Sequence, residues 1–568
     1  MMKVSKQRSI LLTLGLISTV SSAQIADPGA LGGALRQNIE QQVPPLNLLP
    51  LPESEKEKTN KREQNPVELK VLIRGFRFEG VTLLSEQDLQ IALKNWLNHS
   101  WTFSELQQVT EIVGAVYKKK GYLVQSVLPP QKIGEDGILL IRVVEAKLGA
   151  IHIDVDKGSR ISVEAAKGFL TYNNQIGQYL NTEAVERAIY ILKEVPGLAV
   201  ATELEPGKQD GEANLKVRLE DTQLITGKLE STNYGSRSTG QLQGGAFISL
   251  SNPNGWGDQA SLNVLLSEGS QYVQASYSTP VDYSGFRLGI NASNLDYKTI
   301  GAFSGSEGDS QSVGASLTYP LMRSIEANMN VSFGYNVKFY HNINSQTDTT
   351  NSSYSISDWS FSLSGNRYDE FLGGGIWSGQ ISTTLGSLRF NSDNPSTYGI
   401  YTPNNFSKLN VNLARNQQLI TNELVLNISS AIQLANANLD SSEKMYLGGP
   451  NGVRGFPVAQ AGGSQGATIT IELQKQFPDR LVGLAFLDAG VIQQYKKDFS
   501  GAGTPNVYGL YAAGVGAKWN RDRITVSGSM AWRLGDNPVK TTAGTNVDGR
   551  YPHSYIPYVW LQLQYALY

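Results

Sequence analysis

Few residues in this chain are of types and spacings that could do chemistry. Cysteine is absent, which removes a thiol nucleophile, a disulfide framework and a thiolate metal site together. The four histidines, His99, His152, His341 and His553, stand far apart, and loop or core positions suit them better than a shared metal. There is no P-loop or HExxH sequence, and no carboxylate pair lies near a nucleophile. An enzyme is therefore not expected, and no cofactor is implied. What stands out is GGPNGVRGFP, Gly448 to Pro457, where Arg454 sits between Val453 and Phe456 in a run of four glycines and two prolines. Glycines allow tight bends and close approach, and prolines stiffen the flanks. A cation in a confined place needs a partner, and a carboxylate matches the guanidinium fork best. LVGLAFLDAG, residues 481–490, offers Asp488 on the same strand face as Leu484 and Phe486, and its charge argues that this face is interior. Two readings stay open on composition alone: an Arg454–Asp488 lock, or a surface loop that adds only solubility.

The elements around these residues fall into regions. Lys3, Lys6 and Arg8 precede an apolar run from Ile10 to Val20, and Ser21, Ser22 and Ala23 are small. This predicts a secretory signal peptide over 1–23, since the run is too short to cross a bilayer. Residues 24–42 follow, with Leu31, Leu35 and Ile39 spaced by four along one narrow apolar stripe. So thin a helix must dock onto something or stay unfolded. Residues 43–66 are rich in proline and then in charge, which predicts a linker.

Residues 67–146 and 147–220 each read as strand, helix, helix, strand, strand. In the first, Leu106, Val109, Val113 and Val116 keep helical spacing. Small domains of this plan either bind an extended segment along a sheet edge or act as rigid spacers.

From residue 221 to 568 the pattern alternates. Ala260, Leu262, Val264 and Leu266 share one face, as do Leu409, Val411 and Leu413, and Ile469, Ile471 and Leu473. Ser, Asn, Thr, Gln and Gly occupy the opposite faces. Apolar outside and polar inside is the pattern of a transmembrane β-barrel around a wet lumen. The 348 residues hold sixteen strands at about 22 residues each, loops included. Tyr272, Tyr277, Tyr283, Trp359, Tyr368, Trp519, Trp532 and Tyr558 lie near strand ends and are expected to anchor the barrel at the membrane interfaces. The formal net charge of -2, with no basic block, gives no sign of a nucleic-acid partner.

The ordered set of motifs resembles the outer-membrane transporters of two-partner secretion (TpsB type), a branch of the Omp85 superfamily. GGPNGVRGFP resembles their inward-folded loop, GLAFLDAG the barrel strand that receives it, and KKKGYLVQSVLPP with LPPQKIGEDGILLIRVVEA the end of their first POTRA domain. The resemblance implies a mostly β fold with α/β periplasmic domains. In it an N-terminal plug helix (24–42), a linker (43–66) and two POTRA domains (67–146 and 147–220) precede a 16-stranded antiparallel barrel (221–568). It implies a loop motif of Val453, Arg454, Gly455 and Phe456, received by Phe486, Asp488 and Gly490, and a plug stripe of Leu31, Leu35 and Ile39. Phe456 stands where many relatives carry tyrosine, and the chain ends in Tyr568 where many barrels end in phenylalanine. The implied work is secretion, without ATP, of a large unfolded exoprotein bearing an N-terminal secretion domain. Barrel-assembly machinery, periplasmic chaperones and outer-membrane lipid are the implied partners of a monomer. The alternative within the superfamily is an assembly factor that inserts other barrels; that class has more POTRA domains and no detachable plug. An adhesin, a haemolysin, a haem-acquisition protein and a growth-inhibition toxin all remain open as cargo.

Overall fold

The computed structural model describes residues 35–36, 70–156, 158–499, 505–540 and 555–567. The expected signal peptide, the linker, most of the helix at 24–42 and Tyr568 lie outside them.

Two α/β units come first. In the first, Gly75–Glu79 runs parallel to Ile138–Glu145, which pairs on its other side with antiparallel Val124–Val127. Helices α1 (Glu86–Ala92) and α2 (Phe103–Lys119) cover one face. Thr102 starts α2 through a reciprocal capping box with Glu105, which satisfies two of the otherwise unpaired N–H groups of that helix end. Leu106, Val109, Val113 and Tyr117 are its buried residues, so the stripe ends on Tyr117, with Val116 only partly covered. The second unit repeats the plan. Lys147–Val155 lies parallel to Glu212–Asp221, Leu198–Pro206 forms the outer edge, and α3 (Val163–Thr171) and α4 (Thr182–Lys193) pack above.

Sixteen antiparallel strands, from Ile225–Thr232 to Tyr558–Ala566, then close into a barrel. Closure pairs the first strand with the last, so that the sheet does not end in two open edges in lipid. Ile469, Ile471 and Leu473 are 40–43% exposed on its outside, while Thr470 and Glu472 between them face the lumen. The wall is uneven: Ala327–Asn344 and Thr349–Asp369 have 18 and 21 residues, and Ile225–Thr232 has 8.

Three of the expected interface aromatics belong elsewhere. Tyr272 and Tyr558 are buried inside the barrel, because their strand parity turns them to the lumen. Tyr283, at a turn, packs edge-on against Phe169 of α3 at 5.2 Å. It therefore joins the barrel to the second unit. Alongside it, Glu194 pairs with Arg323, and a Glu186 carboxylate oxygen accepts from the Ile325 amide at 2.7 Å.

Candidate functional site: a loop held inside the lumen

The site is built on the segment between the strands Leu424–Ala435 and Gln465–Phe477, which turns back into the barrel. Its outgoing arm is fixed first. Asp440 accepts from the hydroxyls of Tyr354 and Tyr398 at 2.9 and 3.0 Å. Glu443 meets the ammonium groups of Lys338 and Lys408 at 2.7 and 2.6 Å.

The tip follows. Gly449 has φ +118°, a region costly for any residue with a Cβ. A Cβ on Gly455 would lie 2.9 Å from that of Ala512 in the wall. The chain can therefore press against the sheet only with glycine there. Val453 and Phe456 are fully buried with Leu447, Ala461, Ile492, Leu510 and Ala512. Arg454, between them, points the other way. Its Nε and Nη2 donate to the two oxygens of Asp488 at 2.8 Å each, and its backbone amide donates to Asp488 Oδ2 at 3.1 Å. Nη1 donates to Glu472 at 2.7 Å. The guanidinium also lies over the Phe486 ring, 3.2 Å from its centre. Thr470 Oγ1 donates to the Asp488 oxygen that Nη2 uses. A cation buried with bidentate pairing and a ring face is held in one orientation as well as at one depth.

The structure thus brings Val453, Arg454, Gly455 and Phe456 together with Phe486, Asp488 and Gly490. Gly490 belongs because a Cβ there would press on Leu447 and Val453 at 3.0 and 3.1 Å. Of the helical stripe, Leu31 and Ile39 lie outside the described residues. Leu35 is buried in the lumen among Leu265, Tyr272, Leu295 and Tyr297, and Arg36 donates to Ser312 Oγ.

Sequence reasoning missed two partners. Glu472 was legible as a lone carboxylate on the polar parity of TITIELQ. Trp560, whose Nε1 donates to the Arg454 carbonyl at 2.8 Å, gave no such signal, because only barrel closure brings the last strand to the loop.

A sixteen-stranded barrel with a loop drawn into its lumen, following two small α/β units, defines an outer-membrane protein with periplasmic POTRA domains. Residues 211–519 match the family model described as "Haemolysin secretion/activation protein ShlB/FhaC/HecB", and residues 71–146 match "POTRA domain, ShlB-type". The chain belongs to this family of haemolysin secretion/activation proteins, and it is an outer-membrane transporter of the TpsB type. It is 27% identical over 454 residues to the heme/hemopexin transporter protein HuxB of Haemophilus influenzae, covering 76% of this chain and 77% of that one. It is 24% identical over 547 residues to the outer membrane transporter CdiB of Escherichia coli, covering 91% and 89%. The solved structure of CdiB from Escherichia coli superposes with a TM-score of 0.70 at 21% identity, over 95% of this chain and 99% of that one. At that identity the superposition speaks for the fold.

Proposed function

We propose that the protein secretes one large exoprotein. The exoprotein's N-terminal secretion domain binds the periplasmic units in extended form, and the unfolded chain then threads through the barrel. The supporting observation is double occupancy of a polar lumen: a loop tip clamped by Arg454 and a separate segment seated at Leu35. A passive porin needs neither.

The domain limits 67–146, 147–220 and 221–568 are part of this reading. Leu198–Pro206 is the better sheet edge for an added strand. It is one of the two edge strands of its sheet and exposes Ala201, Thr202, Glu203 and Leu204. In the first unit, residues 180–181 of the second already reach the start of the edge strand, through the Tyr122–Asn181 bridge and the Leu123 amide. The segment at 24–42 acts as a plug that leaves, and the loop motif sets the gate. Folding of the cargo outside opposes its return, so ATP is not needed. The barrel-assembly machinery and periplasmic chaperones serve the transporter's own biogenesis.

The test compares secreted and outer-membrane proteomes with and without this protein. Loss of one large exported protein, with other barrels at normal levels, supports the reading and names the cargo. A joint decline of many barrels would instead identify an assembly factor.

A further inference from the structure

The wall of this barrel is weakest where its two ends meet. The last strand, Tyr558–Ala566, pairs with the first over five residues only, from Gln562–Thr232 to Ala566–Lys228. The first strand pairs over eight with its other neighbour. Beyond Thr232 the ladder gives way to a side chain. Asn233 Nδ2 donates to the Val559 carbonyl at 2.8 Å, and its Oδ1 accepts from the Leu561 amide at 2.8 Å. The Asn233 amide donates to Leu561 O at 3.2 Å. One carboxamide thus stands in for a missing peptide group and extends the seam toward the end away from the POTRA units.

The same stretch of the last strand is held from inside by the loop. Trp560 donates to the Arg454 carbonyl. It stacks on Tyr558 at 5.9 Å and meets Tyr234, next to Asn233, edge-on at 5.9 Å. Val458, just past the loop tip, is buried in the same cluster. First strand, last strand and loop tip therefore meet at one point.

We propose that Trp560 and Asn233 are positioning residues that make closure of this end of the seam depend on the seated loop. When the tip leaves Asp488, Trp560 loses its acceptor and the cluster loses Val458. The Asn233 clasp alone then bridges two strands whose regular pairing has ended. This part of the wall yields, and the pore widens locally. The use of that widening for a passing chain rests on the secretion reading above. The coupling itself does not.

The natural chain has no cysteine, so introduced thiols report without background. A seam pair, Thr232→Cys with Gln562→Cys, is compared with a wall pair, Ser261→Cys with Ser276→Cys, by disulfide yield under mild oxidant in outer-membrane vesicles. Trp560→Phe keeps a ring but donates no hydrogen bond. It is expected to lower the seam yield by about fivefold, the factor carried by one net hydrogen bond of ordinary strength, and to leave the wall yield unchanged. An unchanged seam yield overturns the proposal.

Trp560→Phe could also disturb folding, so a second measurement avoids it. Arg454→Ala carrying the seam pair should conduct ions better than its parent in planar bilayers when reduced, and should lose part of that gain when oxidised. Equal conductance in the two redox states overturns the coupling. Neither assay contains cargo, so failure of the secretion reading would leave both results standing.

Discussion

Arg454 faces two carboxylates, and this decides how its substitutions should rank. With the guanidinium gone, Asp488 and Glu472 remain with side chains only 1% and 15% exposed. Two uncompensated like charges in a confined site cost far more than the loss of one contact. Arg454→Ala should therefore destabilise the seated loop by about 3–5 kcal/mol, as breaking a buried pair from one side does. Adding Asp488→Ala to it should recover part of that loss. Arg454→Lys keeps the charge but not the fork or the flat stack on Phe486, and should fall between wild type and Arg454→Ala. Glu472→Gln should be mildest, since it removes one partly exposed partner. Proteinase K, which does not need an arginine to cut, reads the order by cleavage within the loop in outer-membrane vesicles, and equal cleavage of Arg454→Ala and wild type would sink it. The Arg454–Asp488 pair was legible because a charge on an otherwise apolar strand face demands an explanation. Phe456 shows why tyrosine is not required here: its ring is enclosed by Leu510, Ala512 and their neighbours, and Arg533 lies over it at 4.5 Å.

Among the elements, the first POTRA unit carries a titratable support that its sequence pattern did not announce. Glu145 ends the central strand and is 8% exposed. It accepts from the Thr82 and Leu83 amides at 2.8 Å each, and also from Thr82 Oγ1 and the Tyr117 hydroxyl. Burial pushes its carboxyl up, but the donors from Leu83, Thr82 and Tyr117 outweigh burial and hold it below the ordinary glutamate value of 4.5. A depressed folded-state pKa adds stability that is full above the unfolded value and is lost as pH falls through the folded one. The Thr82 and Leu83 amides should therefore be well protected from exchange at pH 7 and lose protection below about pH 4.5. In Glu145→Gln the protection should be weaker by about 1–3 kcal/mol at neutral pH, because both amides donate to Oε1 and a neutral amide oxygen accepts more weakly than a charged carboxylate oxygen, and should not vary with pH beyond intrinsic exchange. A pH-dependent loss that survives in the variant would exclude Glu145 as its source. Helices and strand faces were legible here because capping and periodicity are local. The lumen positions of Tyr272 and Tyr558 were not, since nearness to a strand end says nothing about which face a residue takes.

For the whole molecule, the lumen is closed by two parts whose main seats lie on different arcs of the wall, although Tyr340 lies near both Arg36 and the loop's Ser442 and Glu443. The loop is held by strands from Ala327 onward through Glu443 and Asp440, and by strands near the C-terminus through Arg454 and Trp560. Leu35 sits instead on the early strands, among Leu265, Tyr272, Leu295 and Tyr297. These inward apolar residues break the polar-inside rule on which the barrel was read, and they do so where the N-terminal segment needs a dry seat. The two closures should therefore separate. Burial of one leucine is worth about 1.5–3 kcal/mol, and an aspartate at that position would also have to shed its hydration without a matched partner. Leu35→Asp should accordingly release the segment and raise ion conductance in planar bilayers to the level of a chain lacking residues 24–42. Trypsin cleavage of the loop at Arg454 should stay as slow as in wild type, because no loop contact described above involves Leu35. If Leu35→Asp conducts like wild type, the Leu35 seat does not hold the plug. If it also exposes the loop, the two closures form one cooperative unit, and the order of opening would have to start from the N-terminal segment.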